Sequence, residues 1–350
     1  MLSIIIPVYN SEETIKNCIT SVIQQNVSNV EYEIVVIDDG STDRTREILE
    51  QLKNEQTILK VYHIPNGGVS HARNYGINHA KGEQIFFLDS DDCLEKNCLK
   101  ELMDSFEKNK ADLVAAEIVD EKGTSLAAKN WFKTKGSFIA TDITSMGTNM
   151  MYIRMGSAVG KLYKKSIIID NNIYFNNDID LAEDSIFVHK YILFCHSIEK
   201  NNKAVYMVRN VNENSLSKRY VRNIEKCIDV QNSAMKSAFL MYPMYEKEWY
   251  RYTMDVNVSG CTIFAKNLFL EGCPLTLTQK YKELKKYLNT NNHLKSIHEM
   301  DSETGPKNKV DKIQCAVLGT GSTGLIMLFY CCKESIKKLK VKVSKRNNRW

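Results

Sequence analysis

Short apolar runs alternate with amphipathic stretches along the first third of the chain. Ser3–Val8, Glu33–Asp38, Leu59–Ile64, Gln84–Leu88 and Asp112–Val119 read as strands, nearly continuous in apolar residues as strands covered on both faces are. Between them Ser11–Gln24, Asp43–Lys53, Val69–Ala80 and Lys96–Lys108 read as helices. The alternation predicts right-handed βαβ units and an α/β fold on a doubly wound, mostly parallel sheet. From about Gly123 to Asn177 the rhythm loosens into mixed polar and aromatic segments. A helical pattern resumes at Ala182–Cys195, a strand-like run follows at Ala204–Val208, and helices dominate beyond Arg222. The expected organisation is an α/β domain over 1–222, a helical region over 223–312 and an apolar, then basic, tail over 313–350.

Composition changes this picture in two places. The net charge is +5, yet Lys333, Lys337, Lys338, Lys340, Lys342, Lys345, Arg346 and Arg349 face only Glu334 after Cys332. The tail alone exceeds the net charge, so the remainder is slightly acidic and a uniformly basic nucleic-acid binder is disfavoured. The ten cysteines show no C-x-x-C ladder or zinc-like spacing, which predicts free thiols and a reducing compartment. MLSIIIPVYN enters a strand pattern at once, without a basic n-region, and a cytosolic location is expected. The apolar stretches Cys315–Leu318 and Leu325–Cys332 are split by Gly319–Gly324 and are too short to span a bilayer. With the Lys-rich end they have the make-up of a segment lying on an anionic membrane surface.

Acidic and glycine-rich turns stand at the ends of the strands. IIIPVYN (4–10) ends a strand and opens a helix, at the strand edge where α/β sheets bind ligands. VVIDDGSTD (35–43) delivers Asp38 and Asp39 to the same edge; capping accounts for Asp43 but not for two acids at a strand end. NGGVSHARNYG (66–76) lets backbone approach a ligand through Gly67-Gly68 and aims a helix N-terminus, with Arg73, at the same space. FFLDSDD (86–92) gathers Asp89, Asp91 and Asp92, a repulsive cluster unless a cation is shared, and hard oxygen donors suit Mg²⁺ or Mn²⁺. LAEDSIFVHKYILF (181–194) opens a helix with Glu183 and Asp184, whose dipole favours ionised acids. His189 and His196 read as packing or surface residues.

Taken in order, IIIPVYN, VVIDDGSTD, GGVSHARNYG, FFLDSDD and AED resemble the inverting family 2 glycosyltransferases of GT-A fold. The resemblance is dense over residues 2–120 and continues through GKLYKK (160–165), AED and VRNVNENSLS (208–217). It implies nucleotide-sugar binding by 1–120 and an acceptor side over 121–222. Pro7, Tyr9 and Asp39 would hold the uracil end of a UDP-sugar, with Asn66 and Arg73 nearby. Asp89, with the adjoining Ser90, would meet ribose or donor sugar, and Asp91 would ligate the metal. Asp184 would be the catalytic base, with Glu183 supporting it or binding acceptor, while Arg209 and Ser215 would lie on a loop closing over the diphosphate. The implied activity is metal-dependent, inverting transfer of a hexose or N-acetylhexosamine to a glycan or lipid-linked saccharide, on the cytoplasmic face of a membrane.

Two motifs imitate other families. Gly319, Gly321 and Gly324 spell G-x-G-x-x-G, but too little chain follows for a dinucleotide-binding half and no acid lies about 20 positions on. Arg346-Asn347-Asn348-Arg349-Trp350 mimics the R-x-x-R-W of processive synthases but stands far from AED, which favours addition of one sugar. A sugar-nucleotide nucleotidyltransferase should carry a Gly/Arg-rich loop after its first strand, and IIIPVYNSEE is not one. A non-catalytic nucleotide-sugar-binding protein is the remaining alternative, against which Asp89, Asp91 and Asp184 argue.

Overall fold

The computed structural model describes residues 1–25, 27, 31–126, 138–140, 156–179, 181–209, 219–240, 260–290, 313 and 316–333. The chain packs as two compact units, Met1–Asn212 and Glu213–Trp350, ahead of the change in sequence rhythm near residue 222.

In the first unit the expected alternation is realised. β1 (Leu2–Val8), α1 (Ile15–Ile23), β2 (Tyr32–Asp38), α2 (Thr45–Glu55), β3 (Leu59–His63), α3 (Val69–His79) and β4 (Gln84–Phe87) follow in turn. β5 (Cys93–Leu94), α4 (Cys98–Asn109), β6 (Leu113–Asp120), β7 (Phe138–Ala140), β8 (Lys161–Lys164), α5 (Lys165–Asp170), α6 (Glu183–Ile192) and β9 (Ile198–Val208) complete it. The described strands form one sheet in the order β3-β2-β1-β4-β8-β6-β9-β5, with β7 paired to β9. Its first four strands are parallel. β8 runs antiparallel between β4 and β6, so the sheet is mixed on that side. Parallel strands need helical crossovers, whereas β8 arrives from the unpatterned stretch and is free to reverse.

Burial explains the central strands. Leu2, Ile4, Ile5, Ile6, Ile34, Val36, Ile37, Ile85, Phe86 and Phe87 are all fully enclosed. Pro7 lacks an N–H, yet sits inside β1. Ile5 accepts from Leu88 N, so residue 7 faces the same side, beyond the last β4 partner Phe87, where no donor is required. Val8 and Asp38 are register partners, which brings the turns after β1 and β2 side by side. They are stitched there. Asn10 N donates to Ser41 Oγ at 2.9 Å, Thr42 N to Asn10 Oδ1 at 2.8 Å and Ser11 N to Thr45 Oγ1 at 2.8 Å.

The second unit is helical where described, with α7 (Ile224–Leu240), a helical segment at 260–267, α8 (Leu277–Thr290) and a helix over 323–333. Phe264 stacks on Tyr287 with ring centroids 3.9 Å apart, and Asn267 holds both the N–H and the carbonyl of Val221. In helix 323–333 Ile326, Met327 and Tyr330 are buried while Leu325 and Leu328 are exposed. One face of the presumed surface segment is therefore occupied by packing within its own unit. Among the described residues no helix is long and apolar enough to cross a membrane. The basic run after Lys333 lies outside the described residues.

Candidate active site

The carboxyl ends of β1, β2, β3 and β4 open on one edge of the sheet, and the predicted turns meet there. Asp39 N donates to Val8 O at 2.8 Å, fixing the second turn against the first. The Asp39 carboxylate is buried and receives Gly67 N at 2.9 Å and Gly68 N at 2.7 Å, while Asn66 Nδ2 donates to its carbonyl at 2.9 Å. Asp39 and Asn66 thus clasp the glycine turn before α3. Gly68 has φ +87°, a conformation that L side chains rarely adopt. Asp38 looks the other way, accepting from Ser41 N at 3.0 Å and pairing with His63 Nδ1 at 2.7 Å. Tyr9 stands at the mouth with 51% of its surface exposed, a free aromatic face next to the clasped turn. Ser90 is joined to Ser11 through their hydroxyls at 2.8 Å.

Arg73 lies at the centre. It is buried in α3, its guanidinium 5.2 Å from the Phe175 ring centroid. Nη2 donates to Asp89 Oδ1 at 2.9 Å and Nη1 to Asp184 Oδ1 at 2.5 Å, with Glu183 Oε1 3.7 Å away. One cation therefore joins the acid at the end of β4 to the acids at the start of α6. Burial opposes the guanidinium charge, but Asp184, Asp89 and Glu183 together overcome it and hold Arg73 firmly protonated. Asp184 is secured on its other oxygen, which accepts from Ala158 N at 3.0 Å and Ser157 Oγ at 3.4 Å. Glu183 has its acidity weakened by burial and by the adjacent Asp184.

The acidic turn after β4 forms the second focus. Asp89, Asp91 and Asp92 each offer a carboxylate oxygen, all within 4.8 Å of one another. Burial and the Asp89 charge raise Asp91, and the same causes push Asp92 up to about 8. Such a cluster is costly as it stands and is relieved by a shared cation. Asp92 is the most committed member. Tyr206 Oη donates to its Oδ2 at 2.6 Å and Arg209 N to its Oδ1 at 3.0 Å, while Tyr206 Oη accepts from Asp89 N at 3.2 Å. Asp91 has no ion-pair partner among the described residues. The Arg209 side chain turns to Glu121, with Nε 3.4 Å from Oε1. Ser215 lies outside the described residues.

Sequence reasoning missed three contributors: Tyr206, Phe175 and the 157–159 turn. Tyr206 falls in the predicted strand and its alternation could have placed it. Phe175 and the turn sit in the loosened stretch, where no periodicity marks them. His189 is a packing residue as read, buried and pushed down to about 4 by that burial, with Nδ1 on Ser185 O.

Comparison with known proteins agrees with this geometry. Residues 3–162 match the family model described as Glycosyl transferase family 2. The poly(ribitol-phosphate) beta-N-acetylglucosaminyltransferase TarS of Staphylococcus aureus is 30% identical over 222 residues, 63% of this chain and 37% of TarS. TarP of the same species, with the same named activity, is 32% identical over 61% of this chain and 64% of its own. The chain thus spans about a third of the first relative and less than two thirds of the second. In fold it is similar to S. aureus TarS 1-349 solved in complex with UDP-GlcNAc, with TM-score 0.58, 24% identity, 93% of this chain and 81% of the other covered. It is also similar to the mannosyltransferase PcManGT of Pyrobaculum calidifontis, solved with GDP-Man and Mn²⁺, with TM-score 0.52, 15% identity, 97% of this chain and 86% of the other covered. With the turns of its first four strands assembled at one sheet edge, residues 3–162 are similar to the family 2 glycosyltransferase domain.

Proposed function

We propose that this chain transfers a hexose or N-acetylhexosamine from a UDP-sugar to an acceptor hydroxyl with inversion, in the synthesis of a cell-surface polysaccharide or a lipid-linked oligosaccharide. The observation that carries this reading is the Arg73 bridge between Asp89 and Asp184. It puts a group able to accept a proton beside an acidic turn able to hold a cation, one on each side of a single guanidinium.

The roles follow from the surroundings of each residue. Asp184 takes the proton of the attacking hydroxyl. Its two hydrogen-bonded oxygens keep further lone pairs for that proton. Glu183, beside Asp184 at the start of the same helix, supports it or contacts the acceptor. Arg73 holds Asp184 and Asp89 in place. Pro7, Tyr9, Asp39 and Asn66 form the floor for the base, and the N-terminus of α3 behind Gly67-Gly68 favours a diphosphate. Asp91, with Asp89 and Asp92, fits a hard divalent ion such as Mn²⁺ or Mg²⁺, which when bound offsets the charge of a departing diphosphate. Printed names of the relatives make UDP-GlcNAc the first donor to test and a polymer of ribitol phosphate the first acceptor.

The test is turnover of a UDP-sugar panel by purified protein with Mn²⁺, with Mg²⁺ and with EDTA, alongside Asp91→Asn. UDP release from at least one donor is expected, lost in EDTA and in Asp91→Asn while the variant keeps its unfolding temperature. Undiminished release by Asp91→Asn would remove the metal role. Release of pyrophosphate from a nucleoside triphosphate and a sugar phosphate would point to a nucleotidyltransferase instead. No turnover but tight UDP-sugar binding would indicate a binding protein.

A further inference from the structure

Lys161 and Tyr163 occupy alternate positions of β8, so both side chains leave the same face of the strand. Both turn back onto residues 157–159, which precede the strand by one residue. Lys161 Nζ donates to the carbonyl of Ser157 at 2.5 Å and to that of Val159 at 3.3 Å. Tyr163 Oη donates to the intervening carbonyl, Ala158 O, at 2.9 Å. Three successive carbonyls are held from one side. What remains on the other side is the Ala158 N–H, which donates to Asp184 Oδ2 at 3.0 Å, with Ser157 Oγ at 3.4 Å. Gly160 closes the turn at φ +65° and its carbonyl accepts from Ala116 N at 2.8 Å, tying the turn to β6.

The brace is built from an expensive part. Lys161 is 1% exposed, and an ammonium that deep carries a desolvation cost that an apolar residue of the same length would not. Burial lowers its affinity for the proton, to a pKa of about 8, and the Asp184 charge acts the other way. Packing alone gives no reason for a cation there. The hydrogen bonds to Ser157 O and Val159 O do: they converge on the turn that hydrogen-bonds Asp184.

We propose that Lys161 is a positioning residue for Asp184, holding the 157–159 turn so that the Ala158 N–H and Ser157 hydroxyl orient the carboxylate toward the acceptor. This rests on the reading of Asp184 as the base. Arg73 grips one oxygen of Asp184 and the braced turn grips the other, so the carboxylate plane is set by two independent elements, α3 and the approach to β8.

The test is a double-mutant cycle in the full chain, with Lys161→Met and Asp184→Asn measured singly and together. Lys161→Met should lower kcat for sugar transfer by about 10- to 100-fold and leave the dissociation constant for the UDP-sugar within about twofold. In the Asp184→Asn background the same substitution should change the residual turnover by less than about threefold, because the group it positions is already gone. A general packing role would lower both backgrounds by the same factor, and that result would overturn the proposal. If Lys161→Met does not fold, Tyr163→Phe removes one hydrogen bond from the same turn without changing its volume. It should lower kcat about 3- to 10-fold with Asp184 present and not at all in Asp184→Asn. Equal losses in both backgrounds would again overturn it. Undiminished transfer by Asp184→Asn alone would overturn the base assignment together with this proposal, an outcome distinct from equal losses.

Discussion

Asp184→Asn is expected to bind the UDP-sugar as well as the unmodified chain does and to transfer the sugar about 10²–10⁴-fold more slowly. The amide matches the carboxylate in size, and its single carbonyl oxygen still accepts from Arg73 or from Ala158, though not from both. What it cannot do is take a proton. Arg73 retains Asp89 and Glu183 as partners, so no bare buried cation is created. Donor affinity by calorimetry and transfer by a product assay separate the two effects. A collapse of UDP-sugar affinity with the fold intact would make Asp184 a donor ligand and place the base elsewhere.

The second large effect is one of stability. Arg73→Met removes the cation among Asp89, Glu183 and Asp184 and puts an uncharged chain of similar length beside Phe175. Deleting one side of a buried ion pair costs about 3–5 kcal/mol, and here up to about that much, because three half-buried carboxylates are left without compensation. Urea unfolding at neutral pH should show a loss of that size. An arginine reaching out to a phosphate would behave differently, since its removal would weaken UDP binding and leave the unfolding curve within about 1 kcal/mol of the original. That outcome would contradict the bridge.

The acidic turns were legible because each follows an apolar strand, so their sheet edge could be read from the order of runs. Asp39, Asn66, Asp89 and Asp91 were placed at that edge in this way. Contacts were not legible. Arg73 and Asp184 stand 111 positions apart, and only the fold of the chain makes them partners. Helix-turn logic placed Arg73 at the ligand edge but did not show the three carboxylates around it. β8 escaped notice for a related reason: Lys161 is a buried polar residue in a strand that reads Lys-Leu-Tyr-Lys, so the apolar signal is lost where the chain spends charge on orientation. β5 is a two-residue strand, too short for any period to register. The mixed side of the sheet follows from β8 and β5, since both pair antiparallel to their neighbours.

The central claim is that this chain moves a sugar by a single displacement from a UDP donor. Proton NMR of the product made by the full chain from an α-linked UDP-sugar, with Mn²⁺ and a polyol-phosphate or saccharide acceptor, tests it most directly. A new β-linked anomeric signal, growing in step with UDP, is the expected result. An α-linked product, or no UDP released from any donor in the panel, would contradict it.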